Sequence, residues 1–516
     1  MEFMKKNIHM DCCRYQTSTQ ITVEEDFVIP DVKPDMREVV FENCQIRMEE
    51  AKTTEDHVNV QGEVEVAMLY QPEGCNQQLA RTNKTIPIHE EIYLEGVKSG
   101  DNVDVKWEVE DLNVSMINSR KINIRALLQL QILDRHICDE EVTESFQGLE
   151  DVEYRQKSMQ VAGLTVCKKD IYRVRKEIEI SNHLPNIKEI LWSNVQGNHL
   201  DFRLQNDKIL MKGEFPFFVL YEGDGEEGPI RFMESIIPIE GEIPCAGVEE
   251  GMIPHIDWHI NHVDVDKKPD FDGEERVITI ELVCGMDIRL YEEKQISLLS
   301  DVYGVSKEIN VKTIPATFRQ LLVKNDGVLR LDERVHPKIS APILQLLHQE
   351  GEVLVEDVYF EDKQLGIDGT LILKCLYVTG EDTRPYSSFQ YMLPFHYAMD
   401  VKRAKEDQIL HVNASVDQMS LTMTDADEVN VKAQVGLHIV VFEQLNENII
   451  CSMDVQELNQ EKIKNLPGMA IYVVKEGDSL WDIGKKYYVP VSRIKEINHL
   501  TKDECKPLDK LLVVRV

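Results

Sequence analysis

The sequence has no long apolar run. No stretch of about eighteen apolar residues, the length that crosses a bilayer, occurs in the 516 residues. Residues 1–20 contain Lys5 and Lys6, but the apolar segment of a signal peptide does not follow them. These absences argue against a secreted or membrane-spanning protein, and we expect the chain to stay in the cytoplasm of the cell that makes it.

Basic residues are scarce relative to acidic ones. The chain has 57 lysines and arginines against 92 aspartates and glutamates, for a formal net charge of -35. Such a surface repels nucleic-acid phosphates and anionic lipid headgroups. The composition therefore disfavours binding of nucleic acid or of a membrane surface by the whole chain. It leaves open whether the acidity serves solubility alone or steers the protein toward a basic partner.

Cysteine pairs and catalytic motifs are also absent. The eleven cysteines form no C-x-x-C, so neither a disulfide framework nor a zinc ribbon is indicated. Cys284 and Cys375 lie among apolar residues and are interpreted as reduced core residues. No G-x-S-x-G or H-E-x-x-H occurs, and the G-x-G-x-x-G outline of Gly223–Gly228 is acidic and would repel phosphate. The chain is therefore interpreted as a non-enzyme without a cofactor.

What the sequence does contain is an internal repeat of three copies. In each copy a glycine precedes a tyrosine by eight positions and a proline by 25, and successive copies are offset by 151 and 156 residues. Two equal spacings in three segments rarely arise by chance. The glycine, tyrosine and proline positions are Gly62, Tyr70 and Pro87, then Gly213, Tyr221 and Pro238, then Gly369, Tyr377 and Pro394.

Each copy has the pattern of antiparallel β structure. Val60, Val64 and Val66 share one parity with Gly62 against polar neighbours, and turn clusters separate such runs. The glycine is predicted to permit a bulge or a close backbone approach, and the prolines are predicted to begin edge strands. Between the second and third copies, helical spacing of apolar residues in Thr313–Lys324 predicts a short helix.

The last 47 residues have a different pattern, in which two strands enclose two helices. A strand at 471–474 leads into a helix capped by Asp478 or Ser479, with a second helix after Pro490 and a returning strand at 511–514. The string Tyr472-x-Val474-x-x-Gly477-Asp478-Ser479-Leu480-x-x-Ile483, followed by Ile494-x-x-x-Asn498-x-Leu500, resembles the signature of LysM domains.

Three such modules before a LysM domain are similar in architecture to the SPOCS-domain family of SipL-like spore morphogenesis proteins of spore-forming anaerobes. The resemblance implies a multidomain, mostly β chain of three repeated antiparallel β modules and a small βααβ LysM domain. The predicted divisions are an N-terminal extension 1–20, SPOCS-like repeats 21–150, 160–300 and 305–450, a linker 451–468 and a LysM domain 469–516.

The LysM resemblance also implies a site, because such domains commonly bind N-acetylglucosamine polymers in a groove between two loops. The sequence departs from the family where Pro507-Leu508 replaces the usual Pro-Gly, which puts a glycan-binding shape in question. The side chain of Trp481 is interpreted either as a surface anchor for a partner or as a cap on the small core. The predicted groove and partner residues are Gly477, Asp478, Ser479, Leu480, Trp481, Ile483, Asn498, His499 and Leu500.

One histidine cluster has the residue types of a metal site. His255, His259 and His262 are spaced as zinc ligands could be. The other copies have Asp104, Glu108 and Asp111, or His411, Ser415 and Gln418, at these positions. We therefore predict that most of these side chains lie on the solvated face of a strand, and no metal is expected.

These observations predict a non-enzymatic scaffold. The SipL resemblance implies a role in spore coat assembly at the forespore surface, on the mother-cell side, where the LysM domain would bind the stage IV sporulation morphogenetic ATPase of the coat basement layer. Residues 470–516 carry a net charge of +2 and the rest of the chain -37, which suits an acidic or mixed protein partner. The modules are expected to self-associate or to provide docking surface. The alternative is a peptidoglycan-binding protein of the cell envelope, which the missing export signal disfavours.

Overall fold

The structure, a computed structural model, describes residues 1–74, 78–225, 228–361, 363–401, 408–458, 466–502 and 504–515. Glu226 and Glu227 of the glycine-rich turn and residues 459–465 of the predicted linker lie outside the described residues. Module 1 comprises β1 Glu2–Val28, β2 Met36–Thr54, β3 His57–Pro72, β4 Ala80–Tyr93, β5 Val103–Asn118 and β6 Lys121–Gln147. Module 2 comprises β7 Val152–Glu179, β8 Ile187–Val195, β9 Leu200–Gln205, β10 Lys208–Gly223, β11 Ile230–Pro244, β12 Ile253–Pro269 and β13 Glu275–Gly304. Module 3 comprises β14 Lys307–Val335, β15 Ile343–Glu361, β16 Gln364–Glu381, β17 Arg384–Asp400, β18 Ile409–Met423 and β19 Val429–Glu457. The C-terminal module comprises β20 Met469–Val473, α1 Leu480–Tyr487, α2 Val491–Ile497 and β21 Lys510–Val514.

Each of the three modules is a sandwich of two antiparallel sheets. In module 1 the sheet β2-β3-β4 packs on the sheet β1-β6-β5, and modules 2 and 3 repeat this order. The predicted alternation is confirmed, since Val60, Val64 and Val66 are fully buried beside Ile122 and Ile124 of β6. Cys284 and Cys375 are buried as predicted, and each described cysteine is unpaired. The mostly β fold class is therefore confirmed.

The repeated glycine and tyrosine serve the architecture of the sandwich. A Cβ on Gly62 would lie 2.8 Å from the carbonyl oxygen of Arg47 on the neighbouring strand, so that close approach requires glycine. The glycines of the other two copies likewise lie against the backbone of the adjacent strand. Tyr70 is fully buried, and its hydroxyl donates a 3.0 Å hydrogen bond to the carbonyl of Pro34 in the segment that enters the module. The repeated glycine and tyrosine are therefore explained by contacts within a single module.

The repeated prolines lie on edge strands, but not where the sequence pattern predicts. Pro87 is in the middle of β4, opposite Glu63 of β3, rather than at the start of the strand. Pro238 and Pro394 occupy the same position on the edge strands β11 and β17. A proline within an edge strand removes a backbone donor from that edge, which hinders edge-to-edge association.

Two predictions about local structure are wrong. Thr313–Lys324 is not a helix but part of strand β14, paired with β19. A β-bulge at Leu322 shifts the register there, so the apolar residues lose the strict alternation of a strand and take on a spacing that resembles a helix. Residues 1–20 are not a separate extension, because they belong to β1 and pair with β6.

The three modules surround a pseudo-threefold axis. Val40, Leu191 and Leu347, which are equivalent by the repeat offsets, meet in one buried apolar cluster. Phe41 and Trp192 form an edge-to-face pair with ring centroids 5.0 Å apart within it. The ring of modules closes between the first and the last, where Arg384 of module 3 binds Glu38 of module 1 at 2.6 Å.

Long strand pairs extend beyond each sandwich as three two-stranded ribbons. The ribbons are β1 with β6, β7 with β13, and β14 with β19. They pack against one another around a second apolar cluster that includes Ile8, Val161 and Phe318. No helix in the described residues is long and apolar enough to cross a membrane.

Candidate functional site

The C-terminal module forms the predicted strand-helix-helix-strand unit. Strands β20 and β21 pair antiparallel, and the two short helices cover one side of them. Helix α1 begins at a capping box, in which Ser479 accepts the backbone N–H of Asp482 and the Asp482 side chain accepts the Ser479 backbone N–H. Ser479 is thus the N-cap, so its hydroxyl serves the helix start.

Two of the predicted groove residues belong to the core of this module. Leu480 and Ile483 are each 1% exposed and pack with Ile494 and Leu511. A domain this small depends on nearly every apolar residue it buries. Leu480 and Ile483 are therefore core residues, and the prediction that their side chains contact a bound partner is wrong.

The polar side chains of the predicted groove are engaged inside the module. Asn498 donates to the carbonyl of Leu512 and accepts the Leu512 N–H, at 2.8 and 2.7 Å, which joins α2 to β21. Asp478 accepts the backbone N–H of Lys475 and the hydroxyl of Tyr472, each at 2.8 Å. These two bonds, the backbone one first, lower the pKa of Asp478. The carboxylate therefore stays ionised and holds the loop between β20 and α1.

The loop between β20 and α1 contacts the segment that follows α2, through Cys505 and Leu508 of that segment. The thiol of Cys505, in the segment after α2, lies 3.5 Å from the carbonyl of Asp478, and the N–H of Leu508 binds the carbonyl of Val474 at 2.8 Å. Gly477 has φ of 88° and is exposed in the first loop. His499 is exposed and Leu500 is half-buried in the second loop.

Leu508 changes the rim of this groove. It has φ of 75°, in the left-handed region that glycine adopts freely and leucine adopts at a cost of about 1–2 kcal/mol. Its side chain is 81% exposed. A glycine would leave this rim open, whereas leucine places an apolar side chain on it.

Trp481 lies outside the core of its own module and contacts module 2. Its indole N–H donates a 2.8 Å hydrogen bond to Asp301 of β13, and its ring lies edge-to-face on Tyr303 with centroids 4.8 Å apart. The guanidinium of Arg155 lies over the indole at 5.6 Å. The ring thus anchors an interface, and that interface is internal to the chain.

Further contacts fix this docking of the C-terminal module. Lys485 pairs with Asp301 at 2.6 Å, and the hydroxyl of Tyr303 donates to the carbonyl of Val489 at 2.9 Å. Burial acts to raise the pKa of Asp301, but the bonds from Lys485 and Trp481 outweigh it and lower the pKa. No sequence signal singles out Asp301 or Tyr303, because they lie about 180 positions from their partners.

The histidine cluster is not brought together as a site, and the predicted solvent exposure is wrong for His255. His259 and His262 are exposed, whereas His255 is 2% exposed and its ring lies 4.3 Å from that of His411 in module 3. The face that a lone module would expose is covered by its neighbour. Burial lowers the pKa of His255 to about 4, so both the buried location and the neutral form follow from module packing.

Comparisons with known proteins agree with this architecture. The family model described as SipL, SPOCS domain matches residues 35–117, 186–268 and 342–424. The model for the LysM domain matches residues 472–513. No curated protein and no solved structure matches the chain. The three SPOCS matches cover the second to fifth strands of module 1 and their equivalents in modules 2 and 3.

Proposed function

We propose, from the premise that this chain is built of three SPOCS domains of the SipL type and one LysM domain, that it is a non-enzymatic scaffold of spore coat assembly. Both kinds of domain belong to non-catalytic families. Among the described residues, no group of three or more histidine, cysteine or acidic side chains could hold a metal ion. A closed ring of three modules that carries a small docked domain suits a protein that positions partners.

The partner of the LysM domain, in this proposal, is the stage IV sporulation morphogenetic ATPase of the coat basement layer. The observation that carries it is the groove rim, where Leu508 is 81% exposed while Asn498 and Asp478 bind groups of their own module. Sugar hydroxyls need free polar partners, whereas a polypeptide surface can bury an exposed leucine. The bound region comprises the loops at Gly477–Ser479 and His499–Leu500, next to Leu508.

The place of action in this proposal is the forespore surface, on the mother-cell side. The SipL resemblance supports a sporulation role. The charge distribution supports docking to protein, since a LysM domain of net charge +2 is carried on a body of -37. Trp481 would then set the orientation of the domain on module 2, because its contacts with Asp301 and Tyr303 hold α1 against β13.

Peptidoglycan binding is the second candidate function. The LysM match supports it, as does the contact between Cys505 and Asp478, which brings the segment after α2 next to the loop before α1. Leu508 is the residue on which the two candidates differ. If the domain binds glycan, Leu508→Gly is expected to increase its affinity for peptidoglycan. If it binds a polypeptide, the same substitution is expected to decrease its affinity for that partner.

The test compares the full chain with its Leu508→Gly variant against two targets, the purified ATPase and insoluble peptidoglycan. We expect capture of the ATPase, a loss of about tenfold in affinity for the variant because one apolar anchor is removed, and no sedimentation with peptidoglycan. Val32→Gly, which removes a 90% exposed apolar side chain from a turn of module 1, is the matched control and should bind like the unmodified chain. Sedimentation with peptidoglycan that increases in the variant, without ATPase binding, would refute the proposal.

A further inference from the structure

A cleft of about 1060 Å³ lies between modules 2 and 3, and the LysM domain contributes none of its lining. One wall is formed by the sheet β14-β19-β18 of module 3 together with His348 and Gln349 of β15. The other wall is formed by β8, β10 and β11 of module 2. Its volume is at the upper limit of the range for ligand-binding clefts, which is about 300–1,000 Å³.

A row of planar polar groups crosses the module 3 wall. Arg330 pairs with Gln434, and Gln434 pairs with Gln418, so the three side chains lie side by side across three strands. Within the part of the chain that the structure describes, none of the three side chains has a hydrogen-bond or ionic partner. They are therefore free to bind a ligand.

This row is specific to module 3. The corresponding positions of modules 1 and 2 contain no amide, so the repeat does not require the row as part of its framework. The corresponding rows are Thr22, Leu127 and Asp111 in module 1 and Arg173, Val283 and His262 in module 2.

The opposite wall combines an apolar patch with a strand edge. Pro216 of β10 and Ile236 of β11 are directly opposite each other and exposed, Ile236 by 57%. In the described residues β11 pairs with β10 alone, so its other edge is open to a further strand. Pro238, in the middle of β11, removes a backbone donor from this edge, so the stretch before it, residues 231–236, is the part that could pair with an added strand.

The charged and aromatic side chains of the cleft limit the chemical class of ligand that it can bind. Four charged side chains line it, Arg330 and Lys432 against Glu234 and Asp332, so their charges cancel in a chain of net charge -35. The aromatic rings at the cleft are buried, since Phe218 is 4% exposed and stacks on His348. A sugar ring would lack an exposed aromatic face to stack on.

We propose that this cleft binds an extended, uncharged polypeptide segment of a partner protein. The segment lies along the open edge of β11 as an added strand, and main-chain hydrogen bonds supply affinity. Gln418, Gln434 and Arg330 bind its polar groups, because amides both donate and accept. Its apolar side chains pack on Pro216 and Ile236. The site is separate from the LysM groove, so it gives the scaffold a second binding function.

The experiment selects a phage-displayed library of random twelve-residue peptides on the full chain. We expect enriched peptides of low net charge, rich in β-branched residues, that bind with micromolar Kd. The double variant Gln418→Glu/Gln434→Glu, which replaces amides by carboxylates of the same shape, should weaken binding at least tenfold. Ile236→Asp should do the same from the other wall. Thr85→Asp, at the equivalent exposed position on β4 of module 1, should leave binding unchanged.

Thermal unfolding of each variant separates a lost site from a lost fold, and the altered side chains are exposed or half-buried. Equal binding of the selected peptides to the unmodified chain and to both cleft variants would overturn the proposal, as would the failure of any peptide to be enriched. A pentamer of N-acetylglucosamine serves as the competing probe in calorimetry. Heat of binding that is lost in the double variant would assign the cleft to a glycan and overturn the peptide class.

Discussion

The docking of the LysM domain on module 2 depends on one carboxylate, Asp301. It accepts the indole N–H of Trp481 at 2.8 Å and pairs with Lys485 at 2.6 Å, and its side chain is 18% exposed. A hydrogen bond to a charged group contributes about 1.5–3 kcal/mol. The ion pair adds about 0.2–1 kcal/mol because the Lys485 side chain is 43% exposed to solvent.

Asp301→Ala is therefore expected to weaken docking by about 2–4 kcal/mol, which is roughly a 30- to 700-fold change in the ratio of docked to undocked domain. The contact of the Trp481 ring with Tyr303 and the hydrogen bond from Tyr303 to Val489 remain at the interface. The LysM domain stays folded because Asp301 is not part of its core. Docking should be insensitive to pH near neutrality. Because the pKa of Asp301 is lowered in the folded chain, the contribution is lost only as the pH falls below the usual aspartate range.

Amide hydrogen exchange measures this change in the two segments that touch, 299–304 and 480–489. We expect faster exchange in both segments of Asp301→Ala, while the sandwich core strands remain protected. Asp454→Ala removes a carboxylate of the module 3 ribbon whose partner among the described residues is its neighbour Gln456, and this variant should exchange like the unmodified chain. If Asp301→Ala and Asp454→Ala exchange alike in both segments, the LysM domain is not held on module 2 by this carboxylate and the reasoning fails.

Three further predictions concern the modules. Gly369→Ala should lower the free energy of unfolding of the chain in denaturant by about 1–3 kcal/mol, since its Cβ would lie 2.5 Å from the carbonyl oxygen of Leu354. Gly380→Ala, where the added Cβ meets nothing within 4 Å, should leave this free energy nearly unchanged. Tyr70→Phe should lower the free energy of unfolding by about 0.5–1.5 kcal/mol through the lost hydroxyl bond, and an unchanged value would contradict that role. Because the folded pKa of His255 is about 4, below its usual 6.5, its contribution of about 3 kcal/mol is present above pH 6.5 and lost as the pH falls toward 4. A stability profile without this slope would show that His255 is not buried in the neutral form.

The pseudo-threefold ring couples the stability of the three modules. Equivalent residues such as Val40, Leu191 and Leu347 form one shared cluster, so each module depends on its neighbours for burial. The closing contact between Arg384 and Glu38 joins the ends of the repeat array. A ring of this kind is expected to unfold as one cooperative unit rather than module by module.

The repeat, the β class and the LysM fold follow from the sequence because their signals are local. The glycine and tyrosine spacings reflect contacts inside a single module, such as the bond from Tyr70 to Pro34 across 36 positions. The helix caps and apolar stripe of the last 47 residues are similarly local, and Ser479 is the N-cap that the sequence indicates. The helix predicted at Thr313–Lys324 is wrong because the bulge at Leu322 gives the apolar residues of a strand a helical spacing.

The contacts between different modules could be identified only from the tertiary structure. Asp301 and Trp481 are 180 positions apart, and Arg384 and Glu38 are 346 apart, so no periodicity relates them. The burial of His255 likewise arises from His411 of another module, which covers a face that strand alternation alone assigns to solvent. Local pattern determines how each segment folds, because neighbouring residues set backbone preference and side-chain direction. Packing between modules depends on the shapes of finished surfaces, and these exist only after the segments have folded.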